Sequence, residues 1–85
     1  MTLAERLCLY VERELLDGAP PGTIAPQDSL VKRGVLDSMA VLGLVSFLEE
    51  ETGLRIPDAE VQLEHFETVA AMGQLVERLR AKARG

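Results

Sequence analysis

The first part of the chain carries apolar side chains at the three- and four-residue spacing of an amphipathic helix. These positions are Leu3, Leu7, Cys8, Val11 and Leu15. Thr2, followed three residues later by Glu5, matches a capping box, in which each side chain bonds the backbone amide of the other residue. The pattern predicts a first helix over about residues 2–16, which ends where Gly and Pro crowd segment 17–22.

A long connection is expected over residues 17–37, held on the core by its own apolar residues. These anchors are Ile24, Leu30, Val35 and Leu36. A second helix is predicted over about residues 38–52. It begins after Asp37, a favoured N-cap residue, and ends at Gly53, which tolerates a left-handed C-terminal cap.

Two further helical segments are predicted in the last third of the chain. Pro57 keeps Ile56 extended, and a short helix follows over about residues 58–64. Thr68 can cap a last helix over about residues 68–83, in which the apolar positions again recur at helical spacing. Three longer helices and one short helix predict an all-α fold, a small four-helix bundle.

The composition fits that prediction. A chain of 85 residues, 47% of them hydrophobic and 27% charged, can bury one core, so we expect a single domain over residues 1–85. The only aromatic residues are Tyr10, Phe47 and Phe66, and Trp is absent, so aliphatic side chains must fill most of that core.

The net charge of −5 argues against a nucleic-acid partner, because phosphate neutralisation requires clustered Lys and Arg. No apolar run approaches the ~20 residues of a membrane span, and we see no positively charged start followed by an apolar run that would mark a signal peptide. Cys8 has no second cysteine with which to form a disulfide and lies among apolar residues, which favours a structural role. We expect a cytoplasmic monomer.

Ser38 is the residue best placed for chemistry. It follows Asp37 in the first turn of the second helix, where backbone amides are unpaired and the helix dipole is positive. A phosphate bonded to the Ser38 oxygen would therefore occupy a natural anion site. From the residues alone, a plain helix start remains an equal or better interpretation.

The wider context resembles the acyl carrier protein family, whose domains bind phosphopantetheine. Leu30 and segment 34–39, Gly-Val-Leu-Asp-Ser-Met, are similar to the attachment motif of the family. Leu44-Val45, then Leu48-Glu49-Glu50-Glu51 and Ile56-Pro57-Asp58, look like its second helix and the following turn. Phe66-Glu67-Thr68-Val69 resembles the start of its last helix. The four matches occur in order and cover nearly the whole chain.

The resemblance implies that a phosphopantetheinyl transferase moves the 4'-phosphopantetheine arm from coenzyme A to Ser38. The thiol of the arm would then carry an acyl or aminoacyl group as a thioester, which the domain presents to loading enzymes and to downstream synthases or tailoring enzymes. The domain itself would catalyse nothing. We expect Asp37 to cap the helix and to contribute to recognition by the transferase.

Two other functions compete with the carrier interpretation. A serine hydrolase would need a histidine base beside Ser38, and His65, the only candidate, lies in a polar connection typical of a structural histidine. A helical interaction module without a prosthetic group would use the apolar residues around Met39 and Leu42. No metal site is expected, because one His and one Cys have no zinc spacing.

The second helix is expected to turn Val41, Leu44, Val45 and Leu48 inward. Its opposite side then carries Ala40 and six candidate partner contacts: Met39, Leu42, Gly43, Ser46, Glu49 and Glu50. The fatty-acid carriers of the resembled family often have acids where this chain has Ala40 and Gly43. We therefore expect a discrete carrier of a specialised polyketide or nonribosomal peptide pathway, or of a fatty-acid-like one.

Overall fold

The computed structural model describes residues 1–84, and it is all-helical, which confirms the predicted fold class. Helix α1 (Leu3–Tyr10) continues directly into a π-helical turn (Val11–Leu15). After a long connection come α2 (Ser38–Thr52), a 3-10 turn (Asp58–Glu60), α3 (Leu63–Phe66) and α4 (Val69–Arg84). Within residues 1–84, no helix is both long and apolar enough to cross a lipid bilayer.

The core forms where the apolar faces of the three longer helices meet around Phe66. Its fully buried members come from every helix: Leu7, Val11, Leu44, Leu48, Phe66, Val69, Met72, Leu75 and Val76. The connection adds Ile24 and Leu30, two of the anchors expected from the sequence. Burying one such side chain contributes about 1.5–3 kcal/mol, so this cluster is the main source of stability.

The predicted caps are present. Thr2 Oγ1 accepts the amide hydrogen of Glu5 at 3.1 Å, and Glu5 Oε1 accepts that of Thr2 at 2.8 Å. These hydrogen bonds with Thr2 hold the pKa of Glu5 below its ordinary range. At the C-terminus of α2, Gly53 adopts the left-handed conformation (φ 71°) that ends the helix. Local sequence signals therefore set these helix ends.

Three hydrogen bonds tie the connection between α1 and α2 to the helices. The amide of Ile24 donates to Glu12 Oε2 at 2.9 Å, and that of Leu30 donates to the carbonyl of Glu67 at 2.7 Å. The carbonyl of Pro26 accepts from the amide of Ala70 at 2.9 Å. Glu12 itself is only 1% exposed. These bonds fix the path of the chain towards the start of α2.

The short helix expected over residues 58–64 is divided in the structure. The 3-10 turn ends at Glu60, Val61 leaves the helical region (φ −83°, ψ 77°), and Gln62 is extended before α3 begins. The break allows Val61 to face α2 while Phe66 enters the core. Because Val61 and Phe66 pack on different sides, one continuous helix cannot place both of them.

Helix α2 buries Leu44 and Leu48 as expected, but its inward face also includes Ala40. Leu44 and Leu48 are fully buried, but Ala40, expected on the outer side, is only 6% exposed, and Val41 and Val45 are half-buried. The small side chain of Ala40 lets α2 approach the rest of the bundle closely. The inward stripe is therefore rotated towards Ala40.

Tyr10 of α1 explains the glycine in the middle of α2. A Cβ atom added to Gly43 would lie 2.5 Å from the Tyr10 hydroxyl oxygen and 3.7 Å from its Cζ atom. The Tyr10 ring also stacks on Phe47, with the ring centroids 4.7 Å apart. Gly43 thus makes room for a side chain of this same chain.

This contact predicts a dependence between two substitutions. In the Tyr10→Phe background the nearest atom to a new Cβ is in ordinary contact, so Gly43→Ala should raise the free energy of unfolding by about 0.5–1 kcal/mol through helix propensity. With Tyr10 intact, the same substitution should give no gain or a loss. Urea unfolding of the four proteins of this cycle measures the difference. Equal effects in both backgrounds would contradict the contact.

Candidate functional site

Ser38 is the first residue of α2, and its neighbour Asp37 holds the start of the helix. Asp37 is extended (φ −124°, ψ −175°), and its Oδ1 atom accepts the amide hydrogen of Ala40 at 2.8 Å. Its carbonyl accepts from the amide of Val41 at 2.9 Å, which begins the helical ladder. Ser38 is exposed on the first turn. The cap therefore presents the Ser38 hydroxyl to solvent in a defined position.

The amides next to that hydroxyl suit an anion. Asp37 caps the Ala40 amide, whereas the amides of Ser38 and Met39 precede the first intrahelical bond and have no hydrogen-bond partner among residues 1–84. They lie at the positive end of a 15-residue helix. A phosphodiester on the Ser38 oxygen can accept hydrogen bonds from this helix end.

A shallow apolar groove of about 500 Å³ runs beside Ser38 between α2 and the segment that contains α3. It is lined by Leu36, Asp37, Ser38, Val41, Leu42, Val61 and Leu63. A second depression, which shares Leu42 and Val61, continues it along α2 towards Glu49 and Arg55. The serine thus stands at one end of an apolar surface that a tethered group or a partner can contact.

The six predicted partner contacts divide into two sets. Met39 (76% exposed), Leu42 (59% exposed), Ser46 and Glu50 share one exposed face of α2. Gly43 is half-buried beside Tyr10. Glu49 is also half-buried, and its Oε2 atom accepts the amide hydrogen of Ile56 at 2.8 Å. Gly43 and Glu49 therefore have structural partners within the chain.

Sequence reasoning missed Leu63, which is 55% exposed and forms the wall of the groove opposite Leu42. A signal was present, because Leu63 is a single large apolar residue between Gln62 and Glu64 in a polar segment. Leu63 lies beside α2 because the chain leaves the helical conformation at Val61, and this break cannot be read from the spacing of apolar residues.

His65 and Cys8 lie outside the set of described residues that line the groove. His65 Nδ1 is 2.8 Å from the carbonyl oxygen of Glu60, and its Nε2 atom is 3.4 Å from Arg78 Nη2, so both nitrogens are engaged near α4. Burial, with the Glu12 and Asp28 carboxylates nearby, raises the pKa of the Cys8 thiol. The residues 1–84 hold no cluster of three or more metal-ligating side chains.

The family model for the phosphopantetheine attachment site matches residues 5–76. The chain belongs to the phosphopantetheine-binding carrier family. It is also 34% identical over 79 residues to a probable acyl carrier protein, PigG, of Serratia sp. (strain ATCC 39006). The alignment covers 93% of this chain and 90% of PigG. These matches confirm the resemblance seen in the motifs.

The fold has a match among solved structures too. A chain in the crystal structure of an FAD-dependent dehydrogenase superposes with a TM-score of 0.70 and 31% sequence identity. The alignment covers 82% of the present chain and 97% of that one.

Membership of the family establishes the general role. Domains of this family hold a 4'-phosphopantetheine group and carry acyl intermediates on it, without catalysing a reaction themselves. They interact with the transferase that installs the group and with the synthases that use the cargo. The exposed Ser38 hydroxyl, the free helix amides and the open groove suit such a group.

The N-cap geometry predicts that Asp37→Ala lowers the free energy of unfolding by ~1 kcal/mol, because the Ala40 amide loses its acceptor. Asp37→Asn is the matched control, since its side-chain oxygen can still accept that bond. Chemical denaturation of the three proteins measures the loss. Equal stability of Asp37→Ala and the wild type would contradict the capping role.

Proposed function

We propose that Ser38 is the residue that carries the phosphopantetheine arm, and that the chain presents acyl or aminoacyl thioesters on this arm to partner enzymes. The observation that supports Ser38 is its position. It is an exposed hydroxyl in the first turn of α2, beside two unpaired amides and an apolar groove. In the attachment reaction, the Ser38 oxygen attacks the β-phosphorus of coenzyme A, adenosine 3',5'-bisphosphate leaves, and the hydroxyl proton passes to a base of the transferase.

The chain's other two serines are less suited to this role. Ser29 Oγ donates to Glu67 Oε2 at 3.2 Å and accepts from the amide of Lys32, so it holds the connection in place. Ser46 is exposed but lies in the interior of α2, where the amides belong to the helical ladder. Ser38 alone among the three serines combines exposure with a helix N-terminus.

The proposed partner surface consists of Met39, Leu42, Ser46 and Glu50 on α2 together with Leu63 on α3. Its part nearest to Ser38 is apolar, because Met39, Leu42 and Leu63 are the large exposed side chains there. Asp37 stands at the cap beside Ser38, and within α2 itself the first exposed acid is Glu50. We infer that partners meet the Ser38 end through apolar contacts and the far end through basic side chains.

We place this carrier in a specialised pathway and not in general fatty-acid synthesis. The support is the departure from the fatty-acid pattern: Met39 follows the serine, and Ala40 and Gly43 stand where fatty-acid carriers often have acids. Burial of Ala40 and the contact of Gly43 with Tyr10 show that acids at these two positions would not fit this bundle. We place its action in the cytoplasm, where coenzyme A can supply the arm.

An FAD-dependent dehydrogenase is a partner class that the structural match supports. Such an enzyme would oxidise a single bond of the cargo to a double bond and pass two electrons and two protons to FAD. Mixing the cargo-loaded carrier with the flavoenzyme under anaerobic conditions should bleach the flavin absorbance. Cargo offered with the Ser38→Ala protein should leave the flavin oxidised. Equal bleaching with both proteins would contradict carrier-dependent presentation.

Intact mass spectrometry tests Ser38 directly. Incubation with coenzyme A, Mg²⁺ and a broad-specificity phosphopantetheinyl transferase should add one phosphopantetheine to the wild type and none to Ser38→Ala. Ser46→Ala is the matched control on the same helix and should be modified like the wild type. Asp37→Ala should be modified more slowly, because its helix start is less ordered.

The result also separates the carrier from the interaction module without a prosthetic group. A folded wild-type protein that gains no mass would contradict the carrier function and favour the module. A mass gain that persists in Ser38→Ala would keep the carrier function but contradict the proposed site.

A further inference from the structure

Glu60, at the end of the 3-10 turn, is surrounded by three basic side chains. Its Oε1 atom lies 3.5 Å from His65 Nδ1 and 3.7 Å from Arg78 Nη2. Its Oε2 atom lies 3.8 Å from Lys82 Nζ. The Glu60 side chain is only 22% exposed, so these interactions are less screened than those of a free surface carboxylate.

His65 adds a hydrogen-bonded link to the same cluster. Since the carbonyl of Glu60 can only accept, Nδ1 of His65 carries the hydrogen and donates it across 2.8 Å. Nε2 is then free to accept from Arg78, whose Nη2 atom is 3.4 Å away. Glu60, His65 and Arg78 therefore connect the 3-10 turn, α3 and α4 to one another.

This cluster lies directly behind one wall of the groove. Val61 and Leu63, which line the groove opposite α2, are the first and third residues after Glu60. Val61 packs against the core, but the segment has few other apolar anchors, because Asp58, Ala59, Gln62 and Leu63 are all exposed. The nearest buried core residues are Ile56, before this segment, and Phe66, after it.

We propose that Glu60 is a positioning residue: its ion pairs to α4 hold Val61 and Leu63 in the place where partner enzymes contact the Ser38 end of α2. This inference rests on the proposed function of Ser38. It assigns Glu60 no contact with the arm or with a partner. The basic partners Arg78 and Lys82 are 49% and 73% exposed, and such ion pairs contribute little to global stability, so loss of the cluster should loosen the wall without unfolding the bundle.

The first test uses the wild type, Glu60→Gln and Arg78→Gln as substrates of the phosphopantetheinyl transferase, with saturating coenzyme A. Where the wall is in place only part of the time, the apparent affinity falls by that fraction. A population of a third to a tenth predicts that the KM for the carrier rises roughly 3–10-fold. The kcat should be unchanged, since the reacting hydroxyl is untouched.

The two substitutions separate positioning from long-range charge attraction. Glu60→Gln removes a negative charge and Arg78→Gln removes a positive one, so a charge effect would move the KM in opposite directions. Positioning predicts that both raise the KM, and that the double variant is no worse than the worse single one. Opposite shifts would overturn the proposal.

Glu64→Gln is the matched control. Glu64 is an exposed residue of α3 that has no ion-pair partner within residues 1–84, and its substitution changes the net charge by the same amount as Glu60→Gln. Its KM should stay close to that of the wild type. A rise in KM equal to that of Glu60→Gln would overturn the proposal.

Amide hydrogen exchange supplies a readout that needs no modification of Ser38. In Glu60→Gln, exchange should accelerate for residues 61–66 and remain slow in the cores of α2 and α4. Unchanged exchange, or a loss of protection throughout the bundle, would overturn the positioning role. If the wild type gains no phosphopantetheine, the proposed function fails separately, and the exchange experiment still decides whether Glu60 holds this segment.

Discussion

The long connection between α1 and α2 is the constraint on which the placement of the site depends. A segment of this length cannot rest on the core unless its backbone polar groups find partners. The bonds of Ile24 to Glu12 and of Leu30 to Glu67, together with that of Ala70 to Pro26, supply them. The connection is thereby held against both α1 and α4, and it delivers Asp37 to the start of α2.

The same constraint gives Ser38, the proposed attachment point, a defined position although it is exposed. Asp37 fixes the first turn of α2 through its bond to Ala40, and burial of Ala40 fixes that turn against the bundle. Ser38 stays outside, with two free amides beside it, and no histidine lines the groove among the described residues. The Ser38 hydroxyl therefore has a defined position for a transferase to recognise, and it lacks a neighbouring histidine that could activate it as a nucleophile.

Sequence patterns predicted the features that depend on neighbouring residues. The capping box of Thr2 and Glu5, the Asp37 cap, the Gly53 end of α2 and the helical periodicities are all encoded within a few residues. The prediction of an all-α bundle follows from them and is confirmed. The resemblance to the carrier family was likewise readable from the motifs, and the family model matches residues 5–76.

The features that sequence patterns did not predict depend on contacts between distant segments. The glycine at position 43 is explained by the Tyr10 side chain on α1. The burial of Glu12 is explained by the hydrogen bond that it accepts from the amide of Ile24. The wall residue Leu63 depends on the break at Val61, which no periodicity indicates. Long-range packing thus decided which face of α2 is available to partners.

The most direct measurement for the central claim is site localisation on the modified wild-type protein. After transfer from coenzyme A, proteolysis and tandem mass spectrometry should find the phosphopantetheine on the peptide that contains Ser38, with fragment ions that exclude Ser29 and Ser46. Modification of either of those two serines, or of none of the three, would contradict the account.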